Sequence, residues 1–260
     1  MRILLALMLA ATAAAAQESA VAQLTGPFSH SQYPMELGDR PLVLPNLMLE
    51  GTTQFEYVKI GPSSTTSGIG LRAALGIGDV AQIDLNSSIF VDPESKWSKV
   101  LFARAGFLAY DSRQLDIAPS LLVPLDFNSN ADLLSGAMVG AETRFRIDNL
   151  IYVYGLRDLL LLGWGTAYND ELSAEINGTV GVGIEPMHHV SLELDATLFR
   201  IKVAGKGDAS RLIFSDEIPV AAKALFAINR QFDIVAQLIA PDLKNGFDSL
   251  TFVGGLNARL

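Results

Sequence analysis

The feature that most constrains this chain is a period-two alternation that recurs from Asn46 to the C-terminus. In LEGTTQFEYV (49–58), Leu49, Gly51, Thr53, Phe55 and Tyr57 share one parity, and Glu50, Thr52, Gln54 and Glu56 the other. AQIDLNSSI (81–89) sets Ile83, Leu85 and Ile89 against Gln82, Asp84, Asn86 and Ser88. AEINGTVGVGIE (174–185) and VSLELDATL (190–198) repeat the split. Successive side chains of a strand point to opposite faces, whereas helical spacing would scatter these charges around every face. The chain therefore reads as strands with one apolar and one polar side.

About twelve such segments are legible, at 47–58, 67–77, 80–91, 98–110, 114–125, 133–146, 149–158, 172–184, 189–201, 218–229, 231–240 and 249–260. Soluble strands average roughly five or six residues, and about nine to eleven tilted residues cross a bilayer. The links alternate in length. IGDV, YDSRQ, RIDN, EPMHH and NRQ are tight, while GPSSTTS, DPESKW, NSNAD, GWGTAYNDE, GKGDASRLIFSDE and PDLKNGFDS are longer and polar. An even strand number with short turns at one end and long loops at the other predicts an all-β, up-and-down antiparallel transmembrane barrel. Both barrel ends of the chain fall on the tight-turn side.

Composition agrees. Half of the residues are hydrophobic and mean hydropathy is +0.31. Past the N-terminus no apolar run approaches the roughly 18 residues of a membrane helix; the longest clump is LLLLGW at 159–164. The chain has no cysteine and a formal net charge of −9. That excludes a disulfide framework, thiolate chemistry and a basic footprint for nucleic acid. The N-terminal MRILLALMLAATAAAAQES reads as a secretory signal peptide cleaved after an A-x-A site, spanning 1–16. Residues 17–45, rich in Pro, Ser, Gln and Gly, read as an irregular leader, and 46–260 as the barrel.

Three features assign the faces. Twelve strands enclose more space than eight, whose interior side chains just fill. The alternating Ala, Val and Leu lack the bulk to fill the larger space. The polar face carries both charge signs: Glu50, Glu56, Arg72, Asp84, Arg104, Asp116, Glu142, Arg144, Arg146, Glu175, Glu193, Asp195, Lys223, Asp233 and Arg259. These residues are expected to line the lumen and pair across neighbouring strands. Their acidic excess implies a slight cation preference. Apolar-face aromatics fall near strand ends, as interfacial belts require: Phe55, Tyr57 and Phe252 at the long-loop end, Phe107, Phe145 and Phe232 at the other. The leader is long enough to fold into the lumen as a plug, with Arg40 pairing with an acid such as Glu50 or Glu56.

The chain ends inside a strand, TFVGGLNARL, which would pair with the first strand and close the sheet. Lipid cannot hydrate an open sheet edge. This ending resembles the C-terminal signal of Gram-negative outer-membrane β-barrel proteins, whose last residue is usually Phe; here it is Leu260. RPLVLPNLMLEG (40–51) is similar to the R-P-L-x-L-P lead-in of small outer-membrane channels described as transporters or as MetA-like phenol-degradation-pathway proteins. The resemblance implies a monomeric barrel in the bacterial outer membrane, with both termini periplasmic. It also implies contact with membrane lipid and lipopolysaccharide, and engagement of the barrel-assembly machinery through the last strand.

Chemistry is sparse. The histidines are His30, His188 and His189. The adjacent pair sits at a turn and points to opposite faces, which suits no single metal. Loop acids Asp92, Glu94, Asp170, Glu171, Asp216 and Glu217 read as solvated charges, and GVGIE and GKGDAS are not phosphate loops. No cofactor, metal, nucleic acid or catalytic residue is expected. The leading expectation is a narrow passive channel for small solutes. The alternatives are a structural or surface-binding barrel with a blocked lumen, and a soluble periplasmic barrel.

Overall fold

A computed structural model describes residues 33–61, 64–128, 132–165, 172–205, 219–243 and 249–260. The expected signal peptide and the first half of the leader, with His30, lie outside the described residues, as do Asp170, Glu171, Asp216 and Glu217.

Twelve antiparallel strands form one closed sheet. They are β1 (Leu49–Ile60), β2 (Ser64–Ile77), β3 (Ala81–Asp92), β4 (Lys96–Trp97, Val100–Phe107 and Tyr110–Asp111), β5 (Leu115–Asp126) and β6 (Gly136–Arg146). The second half comprises β7 (Ile151–Gly155 and Leu160–Gly163), β8 (Ser173–Met187), β9 (Val190–Ala204), β10 (Val220–Ala227), β11 (Phe232–Ala240) and β12 (Leu250–Arg259). Each strand pairs with its sequence neighbours. β12 returns to β1 with Glu50 opposite Arg259 and Lys59 opposite Leu250. The last peptide joins the seam: Leu260 N–H donates to the Leu49 carbonyl at 2.8 Å, and Leu49 N–H to the Leu260 carbonyl at 3.0 Å. Among the described residues there is no helix.

Local chemistry sets the tight turns. Gly78 and Asp79 both take left-handed φ between β2 and β3, a conformation Gly and Asp tolerate. The Asp148 carboxylate accepts from Leu150 and Ile151 N–H, and the Asn229 side-chain oxygen from Gln231 and Phe232 N–H, which folds the β6–β7 and β10–β11 turns.

Strand limits differ from the sequence reading by a few residues at several ends, among them β8, which runs to Met187, and β9, which runs to Ala204. Residues 64–66, expected in a loop, are the first rungs of β2, opposite Val58 to Ile60. Lys96–Trp97, also expected in a loop, pair with β3. β7 does not stop at 158; it resumes at Leu160 and runs to Gly163, taking in the LLLL clump.

The alternation sorts the sides. Leu192, Leu194, Leu256 and Leu260 are exposed, as are the aromatics Phe55, Tyr57, Phe107, Phe145, Phe232 and Phe252. On the opposite parity, Glu50, Asp84, Asp116, Arg144, Asp233 and Arg259 are buried. The polarity is inverted relative to a soluble domain. Burial is concentrated inside the ring, where Tyr33 and Leu44 of the leader and Met48, just before β1, meet Ala74 of β2.

Candidate functional site: the charged interior and the leader within it

The interior charges form three groups. The first lies at the seam. Arg259 of β12 donates to Glu50 of β1 at 2.8 Å and also binds Asp233 of β11. Arg40 of the leader grips the same Asp233 with both terminal nitrogens, at 2.8 and 2.9 Å. Its partner is Asp233, not Glu50 or Glu56: Glu50, at the same tight-turn end, is taken by Arg259 and Arg72, and Glu56 lies six residues further along β1. Tyr33 places its ring beneath both guanidinium groups, 5.4 Å from Arg40 and 4.8 Å from Arg259. Such stacking holds a desolvated cation without a further counter-ion. Arg72 of β2 extends the group, bridging Glu50 and Asp84 of β3.

The second group is on β5 and β6. Asp116 accepts from Arg144 at 2.9 Å and Arg146 at 2.7 Å. These arginines also hold the leader backbone. Arg144 donates to the Leu37 carbonyl at 2.8 Å and to that of Arg40, and Arg146 donates to the Gly38 carbonyl at 2.6 Å. Gly38 N–H in turn donates to Glu185 of β8, at 2.6 Å.

The third group is a pair of rows across β7, β8 and β9. Tyr152 lies opposite Gly183, and Gly183 opposite Glu193; Tyr154, Gly181 and Asp195 repeat the arrangement two residues along. Each ring lies flat over its glycine, where a Cβ would collide with the ring carbons. The Tyr152 hydroxyl thereby reaches Glu193 at 2.9 Å, and the Tyr154 hydroxyl Asp195 at 3.2 Å. Lys223 of β10 completes the first row, 2.9 Å from Glu193.

The remaining charges assigned to the interior are also partnered. Glu142 meets Arg157 at 2.7 Å, Glu175 meets Arg200 at 2.9 Å, Arg104 meets Asp158 at 3.4 Å and Glu56 accepts from Gln54 at 2.7 Å. Sequence reasoning missed Arg157, Asp158, Glu185, Arg200 and the two tyrosines. One signal was present: YVY at 152–154 and GVG at 181–183 carry aromatic and glycine at matching two-residue spacing.

The described leader crosses the tight-turn mouth. At one side His188 Nδ1 lies 2.6 Å from Glu36 Oε1. At the other, Asn46 N–H donates to Asp79 at 2.6 Å, and Leu44 N–H to the Gln82 side chain at 2.8 Å. A Cβ at Gly76 would collide with the Leu44 and Pro45 carbonyl oxygens, so leader backbone rests directly on β2. Leu47 turns the chain into β1 with φ of 60°. The interior holds two cavities against the leader. A cavity of about 370 Å³ is bounded by Leu42, Arg72, Asp84, Arg104, Glu142 and Arg157. A second, of about 230 Å³, lies among Arg40, Leu42, Arg72, Glu142, Glu193 and Arg157.

Three solved outer-membrane channels share this architecture. The NanC porin superimposes with a TM-score of 0.58 at 9% identity, over 81% of this chain and 100% of that one. The KdgM porin gives 0.51 at 8% identity, over 80% and 98%. An outer-membrane channel from Pseudomonas putida F1 gives 0.50 at 9% identity, over 84% and 97%. The likeness is one of fold. No family model matches the sequence, and no curated protein does so.

Proposed function

We propose that this chain is a monomeric outer-membrane barrel that passes small solutes through a narrow lumen, with its leader seated in the periplasmic mouth. One observation carries the reading: the closed sheet is apolar outside and charged inside, and its interior holds water-sized space lined by Arg72, Asp84, Arg104 and Glu142. A soluble barrel has no reason to expose Leu194 and Leu256 while enclosing ionised groups, because unsolvated charge is costly. A lipid exterior and a wet interior suit both.

In this reading the polar-parity residues, from Glu50 round to Arg259, line the path. Twelve strands admit less than the 16–18 of open porins, and the paired charges narrow the path further. Signal-peptide export brings the chain to the outer membrane, where β12 engages the assembly machinery and the exposed loops meet lipopolysaccharide. Both termini lie on the periplasmic side, and the role involves no catalysis and no cofactor. The leader's grip on β2, β6, β8 and β11 favours a second state of the same protein, with the mouth closed.

Membrane fractionation and heat-modifiable gel migration test the location, and planar-bilayer recording tests the conduit. Deleting residues 17–40 is expected to raise conductance while the barrel still shifts on the gel. Unchanged conductance would rule out the leader as a plug, and a silent barrel in both forms would leave a structural role.

A further inference from the structure

We propose that the bulge in β7 is a wall-built neck of the lumen, and that Arg157, Glu142, Arg104 and Asp158 determine which solutes pass it. This rests on the channel reading. In β7, Gly155 pairs with Thr143 and Leu160 with Val139, so residues 156–159 face only 140–142 of β6. On the other side Gly155 pairs with Val180 and Leu160 with Ile176, so the same four residues face three of β8. One residue is thus inserted into the ladder on both flanks. Bulges of this kind bend a strand and re-aim its side chains.

The bulge is held against strain. Leu156 has φ of 60°, a conformation a leucine enters only where its surroundings impose it. Ala141 N–H donates to the Leu156 carbonyl at 2.8 Å, Leu156 N–H to Thr179 at 3.1 Å, and Asn177 N–H to Leu159 at 2.8 Å. The Arg157 carbonyl rests where a Cβ of Gly140 would stand. Gly140 shares the parity of Glu142 and Arg144, so the bulge folds inward over β6.

Its side chains face open space. Arg157 meets Glu142 at 2.7 Å, and its side chain keeps 46% of its surface exposed. Asp158 meets Arg104 of β4 at 3.4 Å. The two interior cavities share Leu42, Arg72, Gln82, Glu142 and Arg157, which therefore stand at the boundary between them. Leu42 belongs to the leader and leaves with it; the other four belong to the wall. The neck outlasts withdrawal of the leader. Arg157 is matched by Glu142, Arg104 by Asp158, and Arg72 by Glu50 and Asp84, so the charges at the neck are balanced, which suits solutes without net charge and keeps ion preference weak.

The test uses the full chain in planar bilayers under a salt gradient, with folding checked by heat-modifiable migration. Glu142→Gln is expected to shift the reversal potential toward anions and Arg157→Gln toward cations, while Arg157→Lys stays at the wild-type value. Glu94→Gln, an exposed loop charge between β3 and β4 and off the lumen wall, is expected to leave it unmoved. The double variant Glu142→Ala/Arg157→Ala is expected to raise single-channel conductance at least about twofold. A conducting wild type whose neck variants match it in both readouts would overturn the neck and leave the channel standing. Silence in wild type with conduction in the double variant would support the neck as the barrier. Silence in both would overturn the channel reading and the neck with it.

Discussion

Replacing Asp233 by Asn should release the leader from the barrel. Asp233 is fully buried and, among the described residues, is the only side chain that Arg40 hydrogen-bonds across the interior. The other acceptors of Arg40 are the Pro34 and Met35 carbonyls of the leader itself. Arg259, by contrast, keeps Glu50 at 2.8 Å. Removing one partner of a buried ion pair costs about 3–5 kcal/mol, because the other charge stays desolvated. The stranded charge is on the leader, and undocking rehydrates it. Taking the lower figure, the docked state loses roughly a hundredfold in population relative to the undocked one. Hydrogen exchange by mass spectrometry in nanodiscs reads this directly. Amides of Gly38, Leu44 and Asn46, which donate to Glu185, Gln82 and Asp79, should exchange about a hundredfold faster. Strand amides of β8 and β9 should not change. Arg40→Met is the counterpart: it removes the leader's charge, leaves Asp233 with Arg259, and should accelerate exchange less than Asp233→Asn. Leader exchange within about threefold of wild type in Asp233→Asn would refute the reasoning.

Gly183→Ala should destabilise the barrel by about 1–3 kcal/mol in urea titrations, because the added methyl displaces the Tyr152 ring and its bond to Glu193. A change below about 0.5 kcal/mol would mean the ring does not need the glycine. Truncating Ala258–Leu260 removes Arg259 and the seam bonds to Leu49, and should abolish the heat-modifiable form; normal assembly would show that the seam closes without them. Acid should loosen the leader at His188. Burial raises the Glu36 carboxyl, but backbone hydrogen bonds and His188 outweigh it and hold the pKa below its ordinary 4.5. Stabilisation from Glu36 is therefore complete above that value and lost as pH falls through the lowered one. Leader exchange, corrected for intrinsic rates, should rise as pH falls below about 4.5; exchange that does not change on acidification from about 5 to about 3 would contradict the assignment.

The barrel was legible because its signal is local. Leu49 to Val58 declares two faces in ten residues, and Phe252 to Leu260 declares the closing strand without reference to anything distant. Which charges share a face followed from parity alone. Which of them meet did not, because partners are set by register between strands remote in sequence. Arg40 and Asp233 are 193 residues apart, and nothing near Arg40 distinguishes Asp233 from Glu50 or Glu56. The β7 bulge was hidden for another reason. An inserted residue reverses parity, so GLRDLLLLG reads as the end of a strand followed by an apolar clump. The Leu156 conformation that makes it one strand is imposed by hydrogen bonds from β6 and β8.

The central claim is that lipid lies on the apolar parity and an aqueous interior on the charged one. Because the chain has no cysteine, single cysteines can be placed at 252 to 257 of β12, spin-labelled and reconstituted in bilayers. Collision with dissolved oxygen, which concentrates in the hydrocarbon, then reports which positions face lipid. The account predicts high oxygen accessibility at 252, 254 and 256 and low accessibility at 253, 255 and 257. An alternation of opposite phase, or none, would contradict it.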